Sequence, residues 1–479
     1  MSKNGLEKKA IGDDNATEKT PLIARNGEGD TDGGGDKAGG GGGLSVQQTA
    51  LLIAGEMAGS GVLALPRALV RTGWVGVPII IVMGVLAAFN GKRLGDCWSL
   101  LEARDPAMRS RKRNPYAIIA NEALGKTWSV VVSMSMLVTL FGASVVYLLL
   151  AAQIIEQVFL ALVPNVTFCV WFLIVAGAMT PLMIFGSPRD FSFTGVIAFG
   201  ATVVACILYF IQMMNEVRPF VFRLGAHGFE EFFLAFGTIM FAFGGASTFP
   251  TIQNDMADKT QFGKSLQFSF LGGFTLSLRG MVPVLSHPEA NQWQSLVLEQ
   301  AIMLLYLPIA IGGYAVYGEA ASPNVAMSLA ATPLSLVGHV LMALALVAAF
   351  IILINPVCQE MEELYNVSSE STGYRILIRL SIMAGILFIG ESIPRFYTIL
   401  ALVGGSTVAL LTYVLPAYCY LQLVNQPPAD GQQPIEVAGW MRMLCWEVIA
   451  VGVVGGALAS FSAISAIFST AMATPCYLK

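Results

Sequence analysis

The chain has 479 residues, 55% hydrophobic and only 12% charged, with a mean hydropathy of +0.67. A soluble protein carries roughly 25% charged residues, so this composition excludes a soluble domain and implies a multi-spanning protein that faces lipid. The net charge of −4 offers nothing to a phosphate backbone, and no nucleic-acid partner is expected.

Residues 1–43 are polar and end in the glycine run GGGDKAGGGGG. They cannot bury enough apolar area to fold, and a disordered cytoplasmic tail is expected. They lack an apolar core, so no cleavable signal peptide is expected. Within them EKTPLI has the form of an acidic dileucine sorting signal, with Glu18 ahead of Leu22 and Ile23. A chance match in such a tail is about as frequent, but a sorting adaptor is the partner it would take.

Eleven apolar segments follow, each near the ~20 residues a spanning helix needs. They lie at 45–70, 74–98, 127–157, 168–186, 192–214, 229–254, 298–317, 333–356, 375–393, 396–421 and 441–468. The expected fold class is an all-α membrane protein, with an embedded domain over 44–470 and a short C-terminal tail at 471–479. With the N-terminus in the cytoplasm, 21 of the 27 Lys and Arg fall on the cytoplasmic side, as the positive-inside rule asks. The sequon at Asn165 then lies in an outer loop without Lys or Arg and is a glycosylation candidate. Those at Asn15 and Asn366 fall on the cytoplasmic side. The seven cysteines show no paired or metal-like spacing. They are expected to be free and buried, and no metal site is expected.

The first span contains GEMAGSGVLALP, Gly55 to Pro66, and the sixth contains MFAFGGASTFP, Met240 to Pro250. Both read small residues, a hydroxyl, then proline. Glycine costs about 1 kcal/mol in a helix interior, and freed backbone groups find no partner in hydrocarbon. One such cluster serves close packing more often than binding. Two, at matching points of two five-span halves, are the pattern of a transporter with inverted repeats and broken helices. A half-helix N-terminus suits a carboxylate, and a half-helix C-terminus suits an ammonium or a cation. An amino acid carries both groups.

At these residues the chain resembles the amino acid/auxin permease family, the Aa_trans proteins of the amino acid–polyamine–organocation superfamily. The matching stretches are GEMAGSGVLALPRAL, NPYAIIANEALGKTW (Asn114 to Trp128), FGGASTFPTIQNDM (Phe243 to Met256), LYLPIAIGGYAVYG (Leu305 to Gly318) and INPVCQEME (Ile354 to Glu362). The resemblance implies eleven helices in a leucine-transporter-like 5+5 inverted repeat, and secondary transport of amino acids. Carried onto this chain, Gly59, Ser60 and Gly61 would offer amides to the substrate carboxylate. Phe243, Gly244 and Gly245 would offer carbonyls to the amine, with Ser247 and Thr248 as neighbours of the pocket. Neutral amino acids are the expected substrates.

One stretch departs from the family pattern. Residues 266–296 read as an atypical insertion between the sixth and seventh spans. It is either an inner-face insertion or an artefact of how the reading frame was assembled. Its apolar part, Leu266 to Leu278, is too short to span.

No cofactor is expected, and the coupling ion is expected to be a proton rather than sodium. Sodium-using members of this fold take hydroxyl ligands from the eighth helix, and Val340 to Ile354 contains no Ser or Thr. Glu56, beside the first break, is either a proton carrier with a desolvated carboxyl or a group that faces an aqueous vestibule or pairs with a lysine or arginine. His339 reads as a hydrogen-bonded structural histidine, Glu391 and Arg395 as a solvated pair, and Asp255 and Glu360 to Glu363 as inner-face loop anchors or gate contacts. No nucleophile–base pair, metal cluster or phosphate loop points to an enzyme. A membrane-embedded amino acid sensor and a sodium-coupled transporter remain as alternatives.

Overall fold

The computed structural model describes residues 45–105, 108, 114–160, 162–185, 191–216, 228–245, 248–254, 256–270, 301–365, 367, 372–393, 395–427, 437–469 and 476. The tail with Glu18, Leu22 and Ile23 lies outside them, as do Ser247, Asp255, Asn366 and most of the segment 266–296.

The chain order is α1 (Val46–Met57), α2 (Ser60–Thr72), α3 (Gly76–Arg104), α4 (Pro115–Leu124), α5 (Lys126–Phe159), α6 (Phe168–Phe185) and α7 (Phe191–Asn215). Then come α8 (Phe229–Ala242), α9 (Phe249–Asn254), α10 (Phe262–Phe270), α11 (Ala301–Tyr317), α12 (Pro333–Leu364) and α13 (Thr372–Ser392). The tenth span begins as α14 (Phe396–Val403), widens into a π-helical stretch (Gly404–Val414) and continues as α15 (Leu415–Asn425), before α16 (Gly439–Ser469). Local signals set several of these ends. Ser45 and Gln48 form a capping box at α1, and Thr332 and Ser335 form another at α12, with Pro333 at its first position.

All eleven apolar segments carry helix. Among the described residues eight helices are long and apolar enough to cross a membrane, with Phe168–Ile184 as a shorter one. The count is below eleven for physical reasons. The first two segments run on through one 3-10 turn, Gly73–Val75, where Gly73 takes the left-handed φ of 64° that favours glycine. The sixth is split at its break into α8 and α9.

The second pieces and first pieces of the broken spans meet: α2 packs against α8 and also against α11. On the far side α12 lies along α5 and α7, and the π-helical stretch lies against α16. Small residues allow these approaches. A Cβ on Gly404 would sit 2.0 Å from the Gly237 carbonyl, and one on Gly405 would sit 2.8 Å from Ala459 Cβ.

At the end of the bundle that holds Lys259, ion pairs tie the helices together. Glu362 receives Arg379 at 2.7 Å and Arg375 at 3.1 Å, and Arg379 also donates to the Met183 carbonyl at 2.6 Å. Glu360 accepts from Asn114, so two of the expected anchor residues do hold neighbouring elements. Glu102 accepts from Lys259 at 2.6 Å and from the Trp98 indole at 2.9 Å.

Two expectations are corrected at the opposite end, where Asn165 is exposed. Cys169 and Cys476 form a disulfide across 307 residues, with Cα atoms 5.5 Å apart, so not every cysteine is free. The other five are free and buried. Spacing along the chain carries no trace of this bond because folding brings the start of α6 to the segment beyond α16. Glu391 and Arg395 form no ion pair. Glu391 Oε1 is buried without a partner among the described residues, and the carboxylate lies within 4.8 Å of the two bonded sulfurs. His339 does take its expected form: Nδ1 lies 3.1 Å from the Tyr209 hydroxyl, with the rings edge to face.

Candidate functional site

The first break is two residues long. Ala58 leaves the helix at φ −75°, ψ 70°, and Gly59 precedes α2 at φ −128°, ψ −129°. The first amides of α2 lack an intrahelical partner and carry the positive end of the helix dipole, and no side chain among the described residues caps them. A Cβ on Gly59 would fall 1.6 Å from the Tyr147 hydroxyl oxygen, so only a hydrogen fits there. Gly61 is equally confined: its Cβ would meet Ala242 Cα at 2.7 Å and Cβ at 2.8 Å. Gly61 therefore sets helix contact as well as backbone exposure.

The second break unwinds α8. The Phe243 amide bonds back to Met240 at 3.2 Å, and the Gly244 amide bonds back to Phe241 at 2.8 Å. Phe243 is fully buried, with its ring 5.5 Å from that of Tyr306. Thr248 spends its hydroxyl and amide on the Gly245 carbonyl, at 2.9 and 3.2 Å. A carbonyl has two lone pairs, so Gly245 has little acceptor capacity left for an amine.

Tyr306 joins the two breaks from α11. Its buried hydroxyl lies 2.7 Å from the Met57 carbonyl oxygen and 2.8 Å from that of Ala242. These are the last carbonyls of α1 and α8; that of Met57 also accepts from the Gly59 amide at 2.8 Å, and that of Ala242 has no other backbone donor among the described residues.

A cavity of about 50 Å³ lies between the breaks. Ser60 and Gly61 line it from the first, Gly244 and Gly245 from the second. Gly59, Phe243 and Thr248 do not line it. Ser60 is 1% exposed, and its hydroxyl has no partner among the described residues. Glu56 lies in the last turn of α1, and its side chain is outside the described residues.

Further walls were not read from the sequence. They come from Thr139 and Tyr147 on α5, Leu353 on α12, and Val408 and Thr412 on the π-helical stretch. The wide turns of that stretch misalign its carbonyls, and distant donors satisfy them. Tyr116 donates to Leu411 at 2.6 Å, and buried Asn90 donates to Thr412 at 2.9 Å and Tyr413 at 2.8 Å. π-Helical turns concentrate at functional sites. A signal did exist, in the run Gly404-Gly405-Ser406-Thr407 and in Asn90, a polar residue inside an apolar span.

The family model described as transmembrane amino acid transporter protein matches residues 42–278 and 281–465. The chain belongs to this amino acid transporter family. As a member of it, the chain is a transporter and not an enzyme. It is 24% identical over 435 residues to amino acid transporter AVT1D of Arabidopsis thaliana, which covers 88% of this chain and 70% of that one. It is 24% identical over 398 residues to vacuolar amino acid transporter 5 of Schizosaccharomyces pombe, covering 79% of this chain and 84% of that one. Its fold is similar to that of a manganese transporter mutant from Eremococcus coleocola, with a TM-score of 0.55 at 12% identity over 90% of this chain and 88% of that one. The inward-facing conformation of Mhp1 aligns at a TM-score of 0.50 and 11% identity, over 89% of this chain and 91% of that one. The transporter thus has the expected leucine-transporter-like architecture, with its central cavity at the two helix breaks.

Proposed function

We propose that this transporter moves small neutral amino acids by alternating access, with proton coupling. The observation that carries the reading is the convergence of both breaks on one small cavity, where Ser60 presents a buried hydroxyl without a partner among the described residues. The uncapped amides of α2 and the Ser60 hydroxyl suit a carboxylate. The volume favours a small side chain, since about 10–15 Å³ of such space holds one water. Leu353 and Val408 add apolar wall, and none of the described residues lining the cavity carries a charge that would favour a charged side chain.

Proton coupling rests on two features. The α12 stretch Val340 to Ile354 has no hydroxyl ligand for sodium, and Glu56 stands one residue before Met57 at the first break. The membrane proposed is that of an acidic organelle, with the N-terminus in the cytoplasm. Support comes from the EKTPLI stretch with Glu18, Leu22 and Ile23, and from the vacuolar name of the fission-yeast relative. The disulfide near Asn165 suits an oxidising compartment on the other side.

The test is uptake of a panel of tritiated amino acids into proteoliposomes, under a pH gradient and separately under a sodium gradient. Accumulation of alanine-sized neutral substrates under the pH gradient alone is expected, and Glu56→Gln should abolish it while sparing exchange. Binding without uptake under either gradient would overturn transport in favour of sensing. Imaging a Leu22→Ala, Ile23→Ala form tests the organelle, which is expected to lose the protein to the cell surface.

A further inference from the structure

Val408, Leu411 and Thr412, which line the central cavity, belong to the π-helical stretch Gly404–Val414. That stretch ends against a proline. The Leu415 amide bonds back to the Leu410 carbonyl, one residue further than in an α-helix. Pro416 follows at the start of α15 and has no N–H to give. A donor at that position would serve the Leu411 carbonyl in the wide register, or the Thr412 carbonyl in the α-helical one. In either register one carbonyl of the cavity wall lacks a donor from its own helix. A buried acceptor in an apolar span finds no water to replace it.

Two other helices supply the missing donors. Asn90, fully buried on α3, gives both of its N–H groups, to the Thr412 carbonyl at 2.9 Å and the Tyr413 carbonyl at 2.8 Å. Its own Oδ1 is buried without a partner among the described residues, so the two carbonyls orient the amide. Tyr116, fully buried on α4, donates to the Leu411 carbonyl at 2.6 Å. The Tyr413 hydroxyl donates back to the Met83 carbonyl on α3 at 3.3 Å. Three consecutive carbonyls, Leu411 to Tyr413, are thus held by two side chains that do not themselves line the cavity.

The effect falls on the wall. A slip from the wide register to the α-helical one displaces the side chains by one residue, a turn of about 100°. Leu411 and Thr412 would then leave the cavity. We propose, on the basis of the small neutral amino acid reading given above, that Asn90 and Tyr116 are positioning residues: with Pro416 they hold this wall in its wide register and so set the size of side chain that the transporter accepts.

The experiment is initial-rate uptake of tritiated alanine and leucine by the full-length protein in proteoliposomes, with the melting temperature measured alongside. Asn90→Leu removes both donors. The KM for alanine should rise about tenfold with kcat unchanged, and the ratio of kcat/KM for alanine to that for leucine should fall about tenfold. If this variant fails to fold, Tyr116→Phe keeps the ring and loses only the bond to Leu411, and the ratio should fall about fivefold. Pro416→Ala returns an N–H to the stretch, so its effect on the ratio and that of Asn90→Leu should not be additive in the double variant. A lower melting temperature with KM and ratio at wild-type values, or strict additivity with Pro416→Ala, overturns the positioning role and leaves the transport reading standing. No uptake of either amino acid by wild type removes both.

Discussion

Tyr306→Phe deletes one oxygen and keeps the ring. That oxygen lies 2.7 Å from the Met57 carbonyl and 2.8 Å from the Ala242 carbonyl. A phenol has one proton, so it serves the two carbonyls by sharing or by turns. The ring is fully buried and packs on Phe243 at 5.5 Å, so phenylalanine fits without a clash. The loss is therefore confined to hydrogen bonding at the two breaks. The Met57 carbonyl keeps the Gly59 amide at 2.8 Å, so the acceptor left without its donor is that of Ala242, at a cost of about 1–3 kcal/mol. That is a shift of roughly 5- to 150-fold in the weight of the conformation that holds both breaks together. The assay is initial-rate uptake into proteoliposomes together with thermal melting of the purified protein. The variant should insert normally, melt at a lower temperature and lose about tenfold or more in kcat/KM. Uptake and melting both equal to wild type would refute the idea that Tyr306 couples the breaks.

Ser60→Ala removes the buried hydroxyl without adding volume. It should raise KM by about tenfold, the worth of a bond to a charged ligand, with no loss of melting temperature; an unchanged KM would place the carboxylate elsewhere. Arg379→Ala leaves buried Glu362 with only its half-exposed partner Arg375, whereas Arg375→Ala spares the buried pair. Denaturation should show a loss of about 3 kcal/mol for the first and under about 1 kcal/mol for the second. After a protease cut between α6 and α16, the fragments should stay joined on a non-reducing gel and separate in Cys169→Ser. Asn165→Gln should abolish a glycosidase-sensitive mobility shift of protein made in eukaryotic cells, and a persisting shift would move the glycan to another site.

How much was legible varied from residue to residue. Gly59, Ser60, Gly61, Gly244 and Gly245 were legible because helix breakers inside an apolar span contradict their surroundings. His339 was legible as an isolated polar group that burial forces into a bond, and Glu362 as one of the inner-face carboxylates Glu360 to Glu363, with Tyr209 and Arg379 as the partners found. Tyr147 and Tyr306 were not, because an aromatic residue in an apolar helix looks the same whether its hydroxyl meets a chain break or another side chain. The disulfide was invisible for a related reason: its two cysteines lie 307 residues apart. The pairing of Glu391 with Arg395 failed because four residues of separation predicts contact only along a continuous helix, and α13 ends at Ser392.

Composition and periodicity alone determined that the chain lives in a membrane, where its spans run, and which two of them break. Those properties depend on the transfer of each segment into lipid, and they can be summed locally. Only the tertiary structure decided which broken ends face each other, that Tyr306 ties them, and that a π-helical stretch closes the cavity. Those outcomes depend on contacts between residues tens to hundreds of positions apart, for which neither local spacing nor local hydropathy carries a signal.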